Sequence, residues 1–320
     1  MRAAQLLALT FAAAATSAAA RDLPLSLPID CTLGETCFIQ QFVDHDPGPG
    51  AQDFTCGPLS YDGHKGTDFG LPSFAAMRAG VDVLAAAPGT VKGQRDGMPD
   101  TGWSDAFAGK ECGNGVVIDH GNGWQTQYCH MKQGSITVET GQRVALGTVL
   151  GQIGFSGRTQ FPHLHLSVRK DGEVIDPFDP DGRIACGAPD DDTLWQAPPD
   201  YAPGGLLGAG FAPRVPDYGA IKDGAAHHPL MPDDIGALVL WAYAFGAQAG
   251  DVMRFGIAAP DGSEFFAHDA VIDAPKAQLF RAAGKRLAAT LPKGTYLGKA
   301  TLLRDGTAID SVTTEVRIGE

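Results

Sequence analysis

The chain has 320 residues, 44% of them hydrophobic, and a formal net charge of −13. Its length suits two domains that each bury a core, and nothing in the composition implies disorder. The acidic balance excludes nucleic acid and anionic membrane as electrostatic partners, because both need clustered Lys and Arg, and it bears on solubility more than on function.

Residues 1–20 open with Met1-Arg2, continue as an Ala/Leu run and end in Ala18-Ala19-Ala20. This reads as a secretory signal cleaved near Arg21. It is short and weakly apolar for an anchor, and no other stretch is apolar enough for long enough to span a bilayer. The mature protein is therefore expected outside the cytoplasm, periplasmic or secreted. Export makes Cys31, Cys37, Cys56, Cys112, Cys129 and Cys186 disulfide candidates of open connectivity, with Cys31–Cys37 as one short loop. No CxxC spacing favours thiolate ligation of zinc.

Residues 21–57 are Pro- and Asp-rich with three of the cysteines, and read as an irregular N-terminal arm stapled to the core. A core domain over 58–186 follows. Its sheet signals are short β-rich runs at 81–84, 90–92, 115–119, 124–128, 143–145, 149–151 and 163–168, separated by Gly, Asp and Asn turns. Gly89-Thr90-Val91-Lys92-Gly93-Gln94 is echoed by Gly147-Thr148-Val149-Leu150-Gly151-Gln152, as a duplicated small β-barrel would need at its corners. Between them, Asp96–Cys112 reads as a long loop walling a groove, with Trp103 and Phe107 as candidate substrate contacts. Ser156–Gln160 is a second candidate wall, where Arg158 could meet a carboxylate. Residues 187–232 carry prolines, glycines and Asp190-Asp191-Asp192, and read as a linker. Residues 233–320 lack cysteine and show alternating runs, with hairpin turns at Asp261-Gly262 and Asp305-Gly306. They suggest a C-terminal β-sandwich-like domain.

The chemistry centres on His163-Leu164-His165, inside the apolar run from Phe161 to Val168. In a strand, residues i and i+2 share a face roughly 6–7 Å apart. Both imidazoles then face one cavity, too far apart for two relaxed ligands of one zinc unless the strand bends. One can hold metal while the other works on water. About a hundred residues earlier stand His64 and Asp68; Gly63, Gly66 and Gly70 around them argue for a turn entering a strand rather than a helix. Two imidazoles and one carboxylate leave a divalent metal with an open position suited to activating water.

The set His64-x-Gly66-x-Asp68, Tyr128-Cys129-His130 and Pro162-His163-Leu164-His165 resembles the M23 zinc metallopeptidases of the lysostaphin/LytM type. Val117–Gly123, Gly141–Val144 and Gly151–Gly154 extend the likeness over about residues 60–178. The resemblance implies an all-β barrel-sandwich hybrid (duplicated hybrid motif) with the zinc on an open groove. It also implies His64, Asp68 and His165 as zinc ligands, with His130 and His163 as catalytic residues handling protons. Phe161 stands where the family usually has Gly, which bears on groove shape. The implied function is a zinc-dependent endopeptidase cutting the peptide cross-links of bacterial peptidoglycan. The alternatives are a catalytically inactive LytM-like regulator of another wall hydrolase, or a wall-binding module with structural zinc. Tyr128 is read either as sharing the face of His130 or as packed, and Cys129 as facing away from the site.

Overall fold

The computed structural model describes residues 23–183, 186 and 192–319. The expected signal segment 1–20 and residues 187–191 of the expected linker lie outside them. In chain order the strands and helices of the first half are β1 (Phe38–Gln41), β2 (Thr67–Gly70), α1 (Phe74–Ala79), β3 (Asp82–Leu84), β4 (Gly89–Arg95), β5 (Asn114–Gly121), β6 (Trp124–Met131), β7 (Arg143–Val144), β8 (Val149–Gln152), β9 (His163–Lys170) and β10 (Glu173–Ile175). The second half carries β11 (Gly205–Ala212), α2 (Tyr218–Asp223), β12 (Leu230–Met231), β13 (Ala237–Ala247), β14 (Val252–Ala258), β15 (Glu264–Val271), β16 (Lys276–Arg286), β17 (Gly294–Arg304) and β18 (Thr307–Ile318). Among the described residues the protein is all-β, with two short α-helices and a 3-10 turn at Asp105–Phe107, and no helix is long and apolar enough to cross a membrane.

One eight-stranded sheet runs β1-β2-β9-β6-β5-β4-β7, with β10 on β9, and a two-stranded β3-β8 sheet accompanies it. Neither closes on itself. β9 shows why the sequence folds this way. Leu164, Leu166 and Val168 alternate onto the core face and are essentially fully buried, each stabilising the sheet by about 1.5–3 kcal/mol. The intervening His163, His165, Ser167 and Arg169 are thereby forced onto the opposite face. Tyr128, Phe69 and Trp195 fill the same core.

The second half forms a three-stranded sheet, β11-β13-β16, and a five-stranded one, β12-β18-β17-β14-β15. Phe211 and Leu240 of the first share a core with Phe255 and Tyr296 of the second, which makes a sandwich. β13 is apolar on both faces because it is covered on both: Leu240 points into that core while Trp241 and Tyr243 pack with Ile221 of α2. The hairpins expected at Asp261-Gly262 and Asp305-Gly306 join β14 to β15 and β17 to β18.

Two expectations need correction. The stretch 187–232 is not merely a linker, since β11 within it pairs along β13; its Gly-rich sequence, GLLGAGFA, gave little strand signal. The N-terminal arm is less irregular than its composition implied. β1 pairs with β2, and Leu25 bridges to Trp195. Disulfides join Cys31–Cys37, Cys56–Cys186 and Cys112–Cys129.

The two halves meet beside the outer edge of β1. Gln40 Nε2 donates to Ala277 O at 2.9 Å, Gln278 Nε2 donates to Gln40 Oε1 at 2.9 Å, and Phe38 packs against Phe245. On α1, Arg78 pairs with Asp223 of α2 at 2.7 Å. These contacts bring β16 and α2 to the rim of the groove described next.

Candidate metal centre

β2 and β9 are antiparallel neighbours, with Asp68 opposite His165 and Gly70 opposite His163. The turn before β2 delivers His64. Its Nε2 lies 3.2 Å from Asp68 Oδ1 and 3.2 Å from His165 Nδ1, and His165 Nδ1 lies 2.8 Å from Asp68 Oδ1. Three ligands held at about 2.0–2.1 Å around a tetrahedral zinc sit roughly 3.3 Å from one another. The trio is thus close to the spacing a metal requires, and it is the group of ligand atoms among the described residues that could hold an ion.

Second partners fix which nitrogen faces inward. A carbonyl can only accept, so the proton of His64 sits on Nδ1, which donates to Phe42 O at 2.6 Å and leaves the Nε2 lone pair for the centre. Ser167 Oγ donates to Lys65 O and therefore accepts from His165 Nε2 at 3.0 Å, which frees Nδ1. Beside the trio, His130 Nδ1 donates to Ser156 O at 2.8 Å and His163 Nδ1 donates to Phe161 O at 3.0 Å. His163 Nε2 then lies 3.5 Å from Asp68 Oδ1, and the rings of His130 and His163 are 4.7 Å apart.

Charge follows from this packing. Burial, then the neighbouring imidazoles His163 and His165, holds His130 well below its ordinary value. Burial likewise lowers His163. Burial opposes ionisation of Asp68, but the facing His64 and His163 outweigh it and keep the carboxylate charged. For His64 burial is outweighed by the Asp68 charge, and its value rises.

Each predicted site residue, His64, Asp68, His130, His163 and His165, lines one groove of about 1230 Å³. So do Trp103, Arg158 and Gln160 from the two expected walls, but Phe107 does not. Tyr128 also lies away from the groove. It is buried, its hydroxyl accepts from Ala86 N–H at 2.8 Å, and it packs in the core. Cys129 was expected to face away, yet it lines the groove with His130. Cys129 stands opposite His165 and so shares its face, and the left-handed backbone of His130, φ 64°, breaks strand alternation and turns His130 to that same side. Sequence reading also missed Gln41, whose Oε1 is buried without a hydrogen bond, and Tyr218, Lys222 and Gln278, which line the groove from the second half. The period-two pattern of β9 would have found Ser167 and Arg169, since both share the face of His165.

Residues 62–177 match the model of peptidase family M23. This segment, about a third of the chain, carries the likeness to that family. The DD-carboxypeptidase/endopeptidase Mpg of Neisseria meningitidis is 32% identical over 114 residues, 36% of this chain and 22% of that protein. The peptidoglycan DD-endopeptidase ShyA of Vibrio cholerae is 32% identical over 126 residues, 39% of this chain and 25% of that one. The cell division protein DipM of Caulobacter vibrioides is 31% identical over 120 residues, 36% and 18% respectively. The chain therefore spans about a fifth to a quarter of the length of these relatives, and the likeness is confined to its M23 segment.

Proposed function

We propose that this M23 protein is an exported zinc endopeptidase that hydrolyses peptide cross-links of bacterial cell-wall peptidoglycan. The observation that carries the reading is the convergence of four imidazoles, each with one nitrogen tied to a backbone carbonyl or a hydroxyl, around the Asp68 carboxylate. The name of ShyA, a peptidoglycan DD-endopeptidase, supports the substrate class, and that of Mpg, a DD-carboxypeptidase/endopeptidase, supports the reaction.

His64 Nε2, Asp68 Oδ1 and His165 Nδ1 are the proposed ligands. Zinc bound there would polarise the scissile carbonyl and bring the pKa of water towards neutrality. The chain has no HExxH glutamate to act as base, so proton handling falls to His130 and His163. Both are buried and biased towards the neutral form, with Nε2 as the free acceptor. One takes the proton of the attacking water at Nε2 as the new C–O bond forms, and a proton returns to the amide nitrogen as the C–N bond breaks. The remaining groove residues orient the peptide. Gln41 Oε1, buried and unpartnered, is placed to accept a substrate N–H.

The test is incubation of mature, zinc-loaded protein with purified sacculi, followed by mass spectrometry of the released muropeptides. Cross-linked dimers should fall to monomers with new peptide termini, and a chelator should stop the reaction. Intact dimers in the presence of a fully zinc-loaded protein would sink the catalytic reading.

A further inference from the structure

The groove has a charge character opposite to that of the whole molecule. The chain carries a net charge of −13, yet Lys65, Arg158, Arg169 and Lys222 line the groove against Asp62 and Glu111 beyond the metal trio. Two of these cations are accounted for. Arg158 lies 5.7 Å over the ring of Trp103 and feels the charge of Glu111, and Lys222 lies 5.1 Å over the ring of Tyr218.

Arg169 differs. It stands on the groove face of β9, half-buried, and its guanidinium donates to the neutral Gln127 Oε1. Among the described residues no carboxylate pairs with it, and burial alone acts on its charge. Gln127 is itself anchored, since its Nε2 donates to Cys112 Sγ at 3.3 Å, within the Cys112–Cys129 disulfide. A cation held in place by an amide, without a counter-ion, in a groove that admits ligands, is a preorganised anion site.

Its position says where on a ligand the anion would be. Arg169 is four residues beyond His165 on the same face of the strand, so it lies about 13 Å along the groove floor. That is the reach of roughly four residues of extended peptide.

We propose that Arg169 is a specificity-determining subsite that binds a carboxylate of the peptide substrate, about four residues from the bond placed at the metal centre. The proposal rests on the peptidase reading of the same groove. Ser167 lies between the two positions and leaves the floor open, because its hydroxyl is turned to Lys65 O and His165.

The probe is the uncross-linked stem peptide from sacculi, free or with its carboxylates amidated, titrated calorimetrically into the full zinc-loaded protein. The free peptide should bind wild type about ten- to a hundredfold tighter than the amidated one, the range for a hydrogen-bonded charge pair. Arg169→Gln should abolish that difference while leaving the amidated peptide's affinity in place, and Arg169→Lys should restore part of it. Equal affinities in wild type, no binding of either peptide, or a difference that survives in Arg169→Gln would overturn the subsite. Cleavage of the cross-linked dimer, followed in parallel, keeps the two readings apart. Arg169→Gln should raise KM more than it lowers kcat. A dimer that binds with the carboxylate preference but stays uncut would refute the peptidase reading and leave the anion site standing.

Discussion

Gly66 sits between two proposed ligands, and its lack of a side chain is a requirement of the site. A Cβ built there would lie 2.5 Å from Leu166 O and 2.7 and 2.8 Å from Nε2 and Cε1 of His165. Neither neighbour is free to move. Leu166 is on β9, in the middle of the main sheet, and the His165 ring is held by Ser167. Gly66→Ala must push the carbonyl and the ring back by much of an ångström. Overpacking of this kind costs about 1–3 kcal/mol, which lowers Tm by about 2–4 °C per kcal/mol in a chain of this size. The larger effect is on metal. Bond lengths to a metal tolerate only about 0.2 Å, and Cε1 carries His165 Nδ1 with it, so zinc affinity should fall at least about tenfold, as for loss of an orienting partner. Competition titration against a chromogenic chelator reads the affinity, and differential scanning fluorimetry reads Tm. Gly93→Ala, where a Cβ meets nothing within 4 Å, is the control and should behave as wild type. A Gly66→Ala protein with wild-type zinc affinity and Tm would refute this reasoning.

Two further outcomes are expected. Removing the Cys112–Cys129 disulfide, which closes a loop with a sequence separation of 17, should cost about 3 kcal/mol by loop entropy; paired Cys→Ser substitutions compared by urea denaturation check this, and an unchanged midpoint would contradict it. For His45, burial opposes the charged form, but Asp176, at 2.8 Å, together with Asp179 and Asp44, raises its value. A folded pKa above the unfolded value of about 6.5 means a stabilising contribution fully present below that pH and lost as pH rises through the folded value. Tm should therefore decline across that window in wild type and more shallowly in His45→Gln; parallel slopes would exclude the pairing as the cause.

Much of the site was legible because its parts are local patterns. The alternation in His163–Val168 specifies a strand with both imidazoles on one face, and the glycines around His64 and Asp68 specify a turn into a strand. Both are found. What stayed hidden depends on exceptions and on long-range assembly. The left-handed φ of His130 overrides alternation and brings His130 to the groove beside Cys129, and nothing in Tyr128-Cys129-His130 signals it. Tyr128 is in the core because its hydroxyl finds Ala86 N–H, some forty residues away in sequence. The contribution of β16 and α2 to the rim arises from contacts between halves, such as Gln40 with Gln278, which no sequence window contains. β11 was missed because a Gly-rich strand lacks β-branched residues, and its pairing with the strongly apolar β13 decides its state.

The central claim is that His64, Asp68 and His165 hold the metal while His130 and His163 stand beside it. Zinc stoichiometry of purified wild type, His64→Ala, His130→Ala and His163→Ala, by native mass spectrometry, tests it most directly. One zinc per chain is expected in wild type and in the His130 and His163 variants, with none in His64→Ala. Zinc retained without His64, or lost with His163, would contradict the assignment.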